Sequence, residues 1–250
     1  MDNNIFNNKI YLEGKVISDL EFSHEMYGEG FYNFEFEVSR LSDTSDILVI
    51  TVSERLIAGI DVSIGSELVI DGQLRSYNKF VDGANRLILT VFARDIRQLE
   101  ERGKNPNQIF LDGYICKAPV YRTTPFGREI ADMLLAVNRL YNKSDYIPTI
   151  AWGRNSRFCK SLEVGDNIRV WGRLQSREYQ KKITATEVVR KIAYEVSISK
   201  MERVTDENRD SITIIGKVNN DEATDESNNV DESNNVQKDG LDDTENKEVI

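Results

Sequence analysis

The sequence predicts an all-β molecule: two copies of one small five-stranded barrel in tandem, followed by an acidic, disordered tail. Three observations predict it. The chain repeats itself after about a hundred residues, each repeat reads as alternating strands around one short helical stretch, and the pattern dissolves near residue 204.

The repeat sets the domain count. Ile10-Tyr11-Leu12-Glu13-Gly14 matches Ile109-Phe110-Leu111-Asp112-Gly113, Val38-Ser39-Arg40-Leu41 matches Val137-Asn138-Arg139-Leu140, and Ser45-Asp46 matches Ser144-Asp145. VSIGSELVIDGQLRS (62–76) then lies over LEVGDNIRVWGRLQS (162–176). The division that follows is a first domain over 1–100, a linker at 101–107 and a second domain over 108–204.

Within the first copy, strands are expected at 9–18, 31–40, 46–53, 66–77 and 86–96, where residues alternate or run β-branched, with a short helix at 53–60. The second copy gives strands at 109–117, 130–139, 146–152, 167–179 and 183–196, with a weaker helix at 157–162. Five strands with a helix between the third and fourth is the order of an OB-fold, a Greek-key barrel that often binds oligonucleotides. Gly14, Gly72, Gly113 and Gly172 lie inside strand patterns and suit the bends of a small barrel.

The tail, 205–250, repeats DESNNV in tandem and has too little apolar surface to offset its ordering entropy. SITIIGKV (211–218) is its one strand-like stretch.

Charge divides the chain the same way. Lys+Arg against Asp+Glu runs 9 to 17 over 1–100, 19 to 11 over 101–204, and 4 to 14 over 205–250, so the overall −10 hides a basic domain between acidic segments. In RVWGRLQSREY (169–179) strand alternation puts Arg169, Trp171, Arg173, Gln175, Arg177 and Tyr179 on one face, which is cationic and aromatic. In the first copy Val69, Asp71, Gln73 and Arg75 replace the first four of them.

Other functions find little support. His24 is the only histidine, which removes His-based triads and His-ligated zinc; no nucleophile–base pair, metal cluster or phosphate-binding glycine loop is present, so no enzyme activity, cofactor or metal is expected. Cys116 and Cys159 cannot make a disulfide framework and read as core residues. No apolar run reaches the roughly 20 residues of a membrane helix, and the polar N-terminus lacks a signal-peptide layout, so a cytoplasmic protein without membrane contact is expected. A protein–protein adaptor built from OB-folds stands as the alternative to a nucleic-acid binder.

The second copy is more specific. APVYRTTPFGREIADMLLAVNR (118–139), AWGR (151–154), LEVGDNIRVWGRLQSREYQ (162–180) and TATEVV (184–189) resemble the bacterial single-stranded DNA-binding protein family. The resemblance covers about residues 107–200, and the first copy shares it only through its similarity to the second. It implies sequence-independent binding of single-stranded DNA during replication, recombination or repair. It also implies an assembly of four OB-folds, here a dimer of two-barrel chains.

Carried over position by position, the family's base-stacking aromatics are Tyr141, Tyr146, Trp152 and Tyr179. The first copy has Ser42, Ile47, Ser53 and Lys79 instead, with Tyr77 and Phe80 near the last. Stacking is sequence-tolerant because every base has a π-face, and cations alongside neutralise phosphate. Arg169, Arg173, Arg177, Arg122, Arg128, Arg139 and Arg154 are the main candidates, with Arg157, Lys181 and Lys182 beside them. Trp171 stands where the family commonly has an acid, which leaves two roles for it, stacking on DNA or packing in an interface. Glu248, Val249 and Ile250 correspond to the acidic family tip that recruits replication and repair proteins, without its aromatic end.

Overall fold

The computed structural model describes residues 6–81, 83–182 and 188–208. The expectations for the tail beyond Asn208, including the strand at 211–218 and the tip Glu248–Val249–Ile250, lie outside these residues.

The first copy forms strands β1 (Asn8–Val16), β2 (Glu21–Met26), β3 (Glu29–Ser39), β4 (Ser45–Ser53), β5 (Glu67–Val81) and β6 (Ala84–Gln98), with the single helical turn α1 (Glu54–Ile57) after β4. The second repeats the series as β7 (Asn107–Ile115), β8 (Val120–Thr123), β9 (Glu129–Asn138), β10 (Ser144–Trp152), α2 (Arg154–Phe158), β11 (Asn167–Lys182) and β12 (Val188–Arg203). Each set closes on itself. β1 pairs with both β3 and β5, β3 with β4, and β5 with β6, while a short parallel contact of β4 with β6 (Ile50↔Val91) completes the ring. β7, β9, β10, β12 and β11 do the same, with Thr149↔Val196 as the parallel closure. These are the two expected OB-type barrels.

The structure adds one strand to each barrel. β2 and β8 pair onto β3 and β9 as edge ribbons. Every residue of β2 (EFSHEM) is exposed, so no buried alternation marks it in the sequence. Elsewhere alternation is plain: Ile10, Leu12, Phe34, Phe36, Leu48, Ile50, Leu68 and Ile70 go into the first core, and Ile109, Leu111, Leu135, Val137, Ile168 and Val170 into the second. Gly72 and Gly172 mark a register shift in the same place in each barrel, and a Cβ there would collide with the carbonyl oxygens of Phe92 and Ser197.

The barrels meet through an antiparallel β1–β7 pairing centred on Ile10↔Ile109, two residues that are themselves repeat partners. A pseudo-twofold axis therefore passes between them, and the contacts around it come in pairs. Buried Asp46 accepts a hydrogen bond from the Ser176 backbone N–H (2.7 Å), and the Ile47 N–H donates to the Ser176 hydroxyl (3.1 Å). Its counterpart Asp145, also fully buried, accepts from the Ser76 N–H (2.8 Å), and the Tyr146 N–H donates to the Ser76 hydroxyl (2.7 Å). Arg40 grips Asp46 through two nitrogens, while Arg75 and Arg139, one from each barrel, converge on Asp145 at 2.9 and 3.3 Å. Asn8 and Asn107 repeat a further device: each side-chain amide bridges the backbone of Leu74 or Leu174 at 2.7 and 2.9 Å. Buried carboxylates are tolerated here because every one is met by several donors.

Candidate nucleic-acid interface

An open cleft of about 1110 Å³ lies over the second barrel, and Trp152, Trp171, Arg173, Arg177 and Arg128 line it. Its far wall is the first barrel's β3–β4 loop, with Arg40, Leu41 and Thr44, and its floor includes Asn105 and Pro106 of the linker and the first residues of β7, Asn107–Ile109. Neither the loop nor the linker carries a motif. They enter the site because the β1–β7 seam brings the first barrel against β11, where Asp46 meets Ser176. Only the repetition of Arg40-Leu41 as Arg139-Leu140 signals these residues in the sequence, and it signals the seam rather than a ligand.

Trp152 ends β10, and its indole N–H donates to the Ser197 hydroxyl at 3.2 Å. That bond fixes the ring's tilt on the sheet while leaving more than a third of the residue exposed. Tyr146 lies six residues back on the same face of β10, also exposed. Tyr141 projects almost fully into solvent from a turn in which it takes φ 63°, ψ 37°. A bulky residue in the left-handed region is an outlier that the surrounding turn must hold in place. Tyr179 lies on β11 opposite Lys191, and its side chain is outside the described residues.

Trp171 is half-buried. Its ring packs on Phe110 with centroids 5.2 Å apart, and the Lys200 ammonium caps it at 4.4 Å. It packs within its own barrel, which is neither of the two expected roles, while presenting an edge to the cleft.

The arginines divide. Arg173, Arg128 and Arg154 are exposed; Arg177 is exposed too, with Glu195 3.6 Å away. Arg122 forms a two-nitrogen ion pair with Asp132 on the solvent side of the β8–β9 ribbon. Arg157 pairs with Glu129. Two expectations are corrected. Arg169 is 2% exposed, paired with Asp112 (3.0 Å) and Glu202 (3.6 Å), and donates to the Asn208 carbonyl at 2.8 Å. Alternation does put it on Trp171's face, but the turn Thr205–Asn208 folds back over that part of the sheet, so its cation is used internally. Arg139 belongs to the seam, held on buried Asp145. Gln175 is likewise covered, hydrogen-bonded to Glu195 at 2.8 Å.

Among the described residues, the equivalent positions of the first barrel are filled differently. Asp71, in Trp171's place, pairs with Arg97. Ser53 occupies Trp152's position, and Phe92, in Ser197's place, fills the space with its ring against Phe31. His24 stacks flat on Phe31 at 4.8 Å.

Residues 106–204, the whole of the second barrel, match the model of the Single-strand binding protein family. The second barrel is thus similar to that family along its whole length. Single-stranded DNA-binding protein 1 of Staphylococcus aureus (strain COL) is 36% identical over 94 residues, covering 33% of this chain and 56% of that one. The single-stranded DNA-binding protein of Thermus thermophilus is 26% identical over 159 residues, 56% of this chain and 59% of its own. This chain thus spans little more than half the length of these curated relatives. The crystal structure of the wild-type single-stranded DNA binding protein from Thermus aquaticus superposes with a TM-score of 0.65, over 79% of this chain and 93% of that chain, at 21% identity. That likeness is one of fold, and it extends over both barrels where the family model covers one.

Proposed function

We propose that the chain binds single-stranded DNA without sequence preference, through the second barrel, with bases on Trp152, Tyr146, Tyr141 and Tyr179 and phosphates on Arg173, Arg177, Arg128 and Arg154. The observation that carries the reading is the contrast within one chain. Two barrels of one fold share their seam, yet among the described residues it is the second that lines the cleft with exposed Trp152, Arg173, Arg177 and Arg128. An adaptor would account for the acidic barrel but gives no reason for that concentration.

The first barrel acts as an assembly module in this reading. It occupies, within the chain, the place a second copy of the DNA-binding barrel would take about the pseudo-twofold axis. Two such chains would supply four barrels. The acidic tail is a competitor for the cationic cleft and, when displaced, a lure for replication and repair proteins, with Glu248, Val249 and Ile250 at its tip.

Titration of the full-length protein with oligo-dT of several lengths, followed by tryptophan fluorescence at a series of salt concentrations, tests this. Trp152 and Trp171 both border the cleft, so binding should change the signal, weaken steeply with salt and be indifferent to base composition. A protein that leaves the signal flat and binds no labelled oligonucleotide at low salt is not a DNA binder, and the adaptor reading would replace this one.

A further inference from the structure

We infer that Phe126, at the tip of the β8–β9 ribbon, is a further base-stacking residue, which takes a nucleobase of single-stranded DNA where the strand leaves the cleft past Arg128. The inference rests on the DNA-binding reading above. Phe126 is 92% exposed. A single exposed apolar side chain needs no explanation, but this one is presented by a built turn. The Gly127 N–H donates to the Thr124 carbonyl (2.9 Å), the Thr124 N–H donates to the Arg128 carbonyl (2.8 Å), and the Arg128 N–H donates to the Thr124 hydroxyl (3.0 Å). Pro125 pre-sets the second position of the turn, and Gly127 supplies the positive φ of 75°. The third position usually goes to a small polar residue that can bond its own backbone. A large ring there gains nothing for folding and stands ready, at little entropic cost, for a flat ligand.

Its location matches. Arg128, two residues on, lines the cleft with Trp152 and Trp171. Ile130, two residues further, is the register partner of Trp152. At about 3.3 Å per residue the Phe126 backbone is within about 13 Å of that pair. A chain stacked on Trp152 and neutralised at Arg128 therefore has Phe126 next along its course. The first barrel repeats the tip with Tyr27-Gly28, fully exposed, but flanks it with Glu25 and Glu29 where the second has Thr124 and Arg128. An aromatic between acids repels phosphate, so the same device is fit for DNA in only one barrel.

The test compares full-length Phe126→Ala, Phe126→Tyr and Arg128→Gln with the parent, using fluorescein-labelled oligo-dT and thermal melting. Phe126→Ala should melt with the parent, weaken binding about 5- to 50-fold and leave the salt slope unchanged, whereas Arg128→Gln should lower that slope by about one. Phe126→Tyr, which keeps the π-face, should bind within about two-fold of the parent. An oligonucleotide carrying 5-iododeoxyuridine should photo-cross-link to Phe126. If Phe126→Ala binds like the parent while Trp152→Ala is weakened, the inference is overturned and the DNA-binding reading survives. If the parent itself binds no DNA, both fall.

Discussion

The two barrels keep the same residues where they touch each other and different residues where they face solvent. Asp46 and Asp145, Ser76 and Ser176, Asn8 and Asn107, and Ile10 and Ile109 are repeat partners, and each pair makes equivalent contacts about the seam. Trp152 against Ser53, Trp171 against Asp71 and Arg128 against Glu29 are also repeat partners, and they share nothing. Folding and docking constrain the first set, because a buried carboxylate or a paired strand tolerates few alternatives. Solvent constrains the second set so weakly that a concentration of aromatic and cationic residues there needs a ligand to explain it. A repeat within one chain thus acts as its own control: what is shared specifies architecture, and what differs points to the site.

The seam should give the largest effect on breaking. Asp46→Ala strands the Ser176 N–H and leaves the Arg40 guanidinium with the Ser176 carbonyl, while Asp145→Ala takes the carboxylate from Arg75, Arg139 and the Ser76 N–H, leaving Arg75 its bond to Gln73. Each should cost about 3 kcal/mol, the low end for a broken buried pair, because the arginines retain some water contact. Urea unfolding of the full-length chain measures it. The two sites are not identical. Asp46 raises the Arg40 pKa through its hydrogen bonds, whereas burial lowers that of Arg75 in spite of Asp145. A large loss at one aspartate with none at the other would mean that the twofold likeness is geometric and not energetic.

Isolated barrels are a poor way to ask which one binds DNA. Cutting at the linker would expose β1 and β7 as unpaired edges. Substitution in the full chain separates the roles better. Trp152→Ala should weaken oligo-dT binding by about 1–3 kcal/mol with a minor change in stability, because the ring is exposed and held by one hydrogen bond. Phe92→Ala, in the other barrel, should do the reverse, since Phe92 packs on Phe31 beneath Arg94. Calorimetric melting beside the DNA titration reads both. Loss of DNA affinity from Phe92→Ala would show that the first barrel shares the binding surface.

Much of this arrangement was legible in the sequence, and what was not has physical causes. The repeat, the five core strands and the short helix follow from buried alternation, and strand ends fall within a few residues except at the last strand, expected at 183–196, which runs Val188–Arg203 with 183–187 outside the described residues. β2 and β8 escaped because an edge ribbon with both faces in water has no hydrophobic period. Trp152, Tyr146 and Tyr141 are exposed as expected. Alternation misled at Arg169 and Gln175, because it assigns a face but does not say what covers it; the Thr205–Asn208 turn and Glu195 do. Arg139 reads as a phosphate ligand because a cation in a basic domain carries no label for its partner, here a carboxylate six residues away. Phe126 lies in the family-like stretch 118–139 and gives no periodic signal, since a turn has none.

The Thr205–Asn208 turn also redefines how the tail should be removed. A truncation after residue 204 would uncover Arg169 and confound charge with structure. Ending the chain at Asn208 removes residues 209–250, with 4 Lys+Arg against 12 Asp+Glu, and leaves the barrel intact. If the tail competes with phosphate for Arg173 and Arg177, this truncation should tighten DNA binding several-fold at low salt. The gain should fade as the Debye length falls to about 10 Å at 0.1 M. Equal affinities across the salt range would mean that the tail does not visit the cleft.

The smallest effect should come from the place where the barrels treat equivalent positions differently on the outer side of the seam. In the second barrel Phe110 packs under Trp171 and Asp112 pairs with Arg169. In the first, the equivalents Tyr11 and Glu13 bond to each other, the phenol donating to the carboxylate at 2.6 Å, while Glu13 also accepts from the linker Gly103 N–H at 2.7 Å. Burial first, then the bond to Glu13, pushes the Tyr11 pKa from 10.0 up to about 12. The folded state therefore holds this proton where the unfolded chain has released it. The resulting stability is complete below pH 10 and is lost as pH rises from about 10 towards 12. Tyrosine absorbance near 295 nm should show one late-titrating group that Tyr11→Phe removes. The same variant, with no phenol to ionise, should have a flatter stability profile over that alkaline window than the parent. Were the parent and Tyr11→Phe to lose stability in parallel there, the linker clasp at Glu13 would not depend on the phenol, and the two barrels would be equivalent at this position after all.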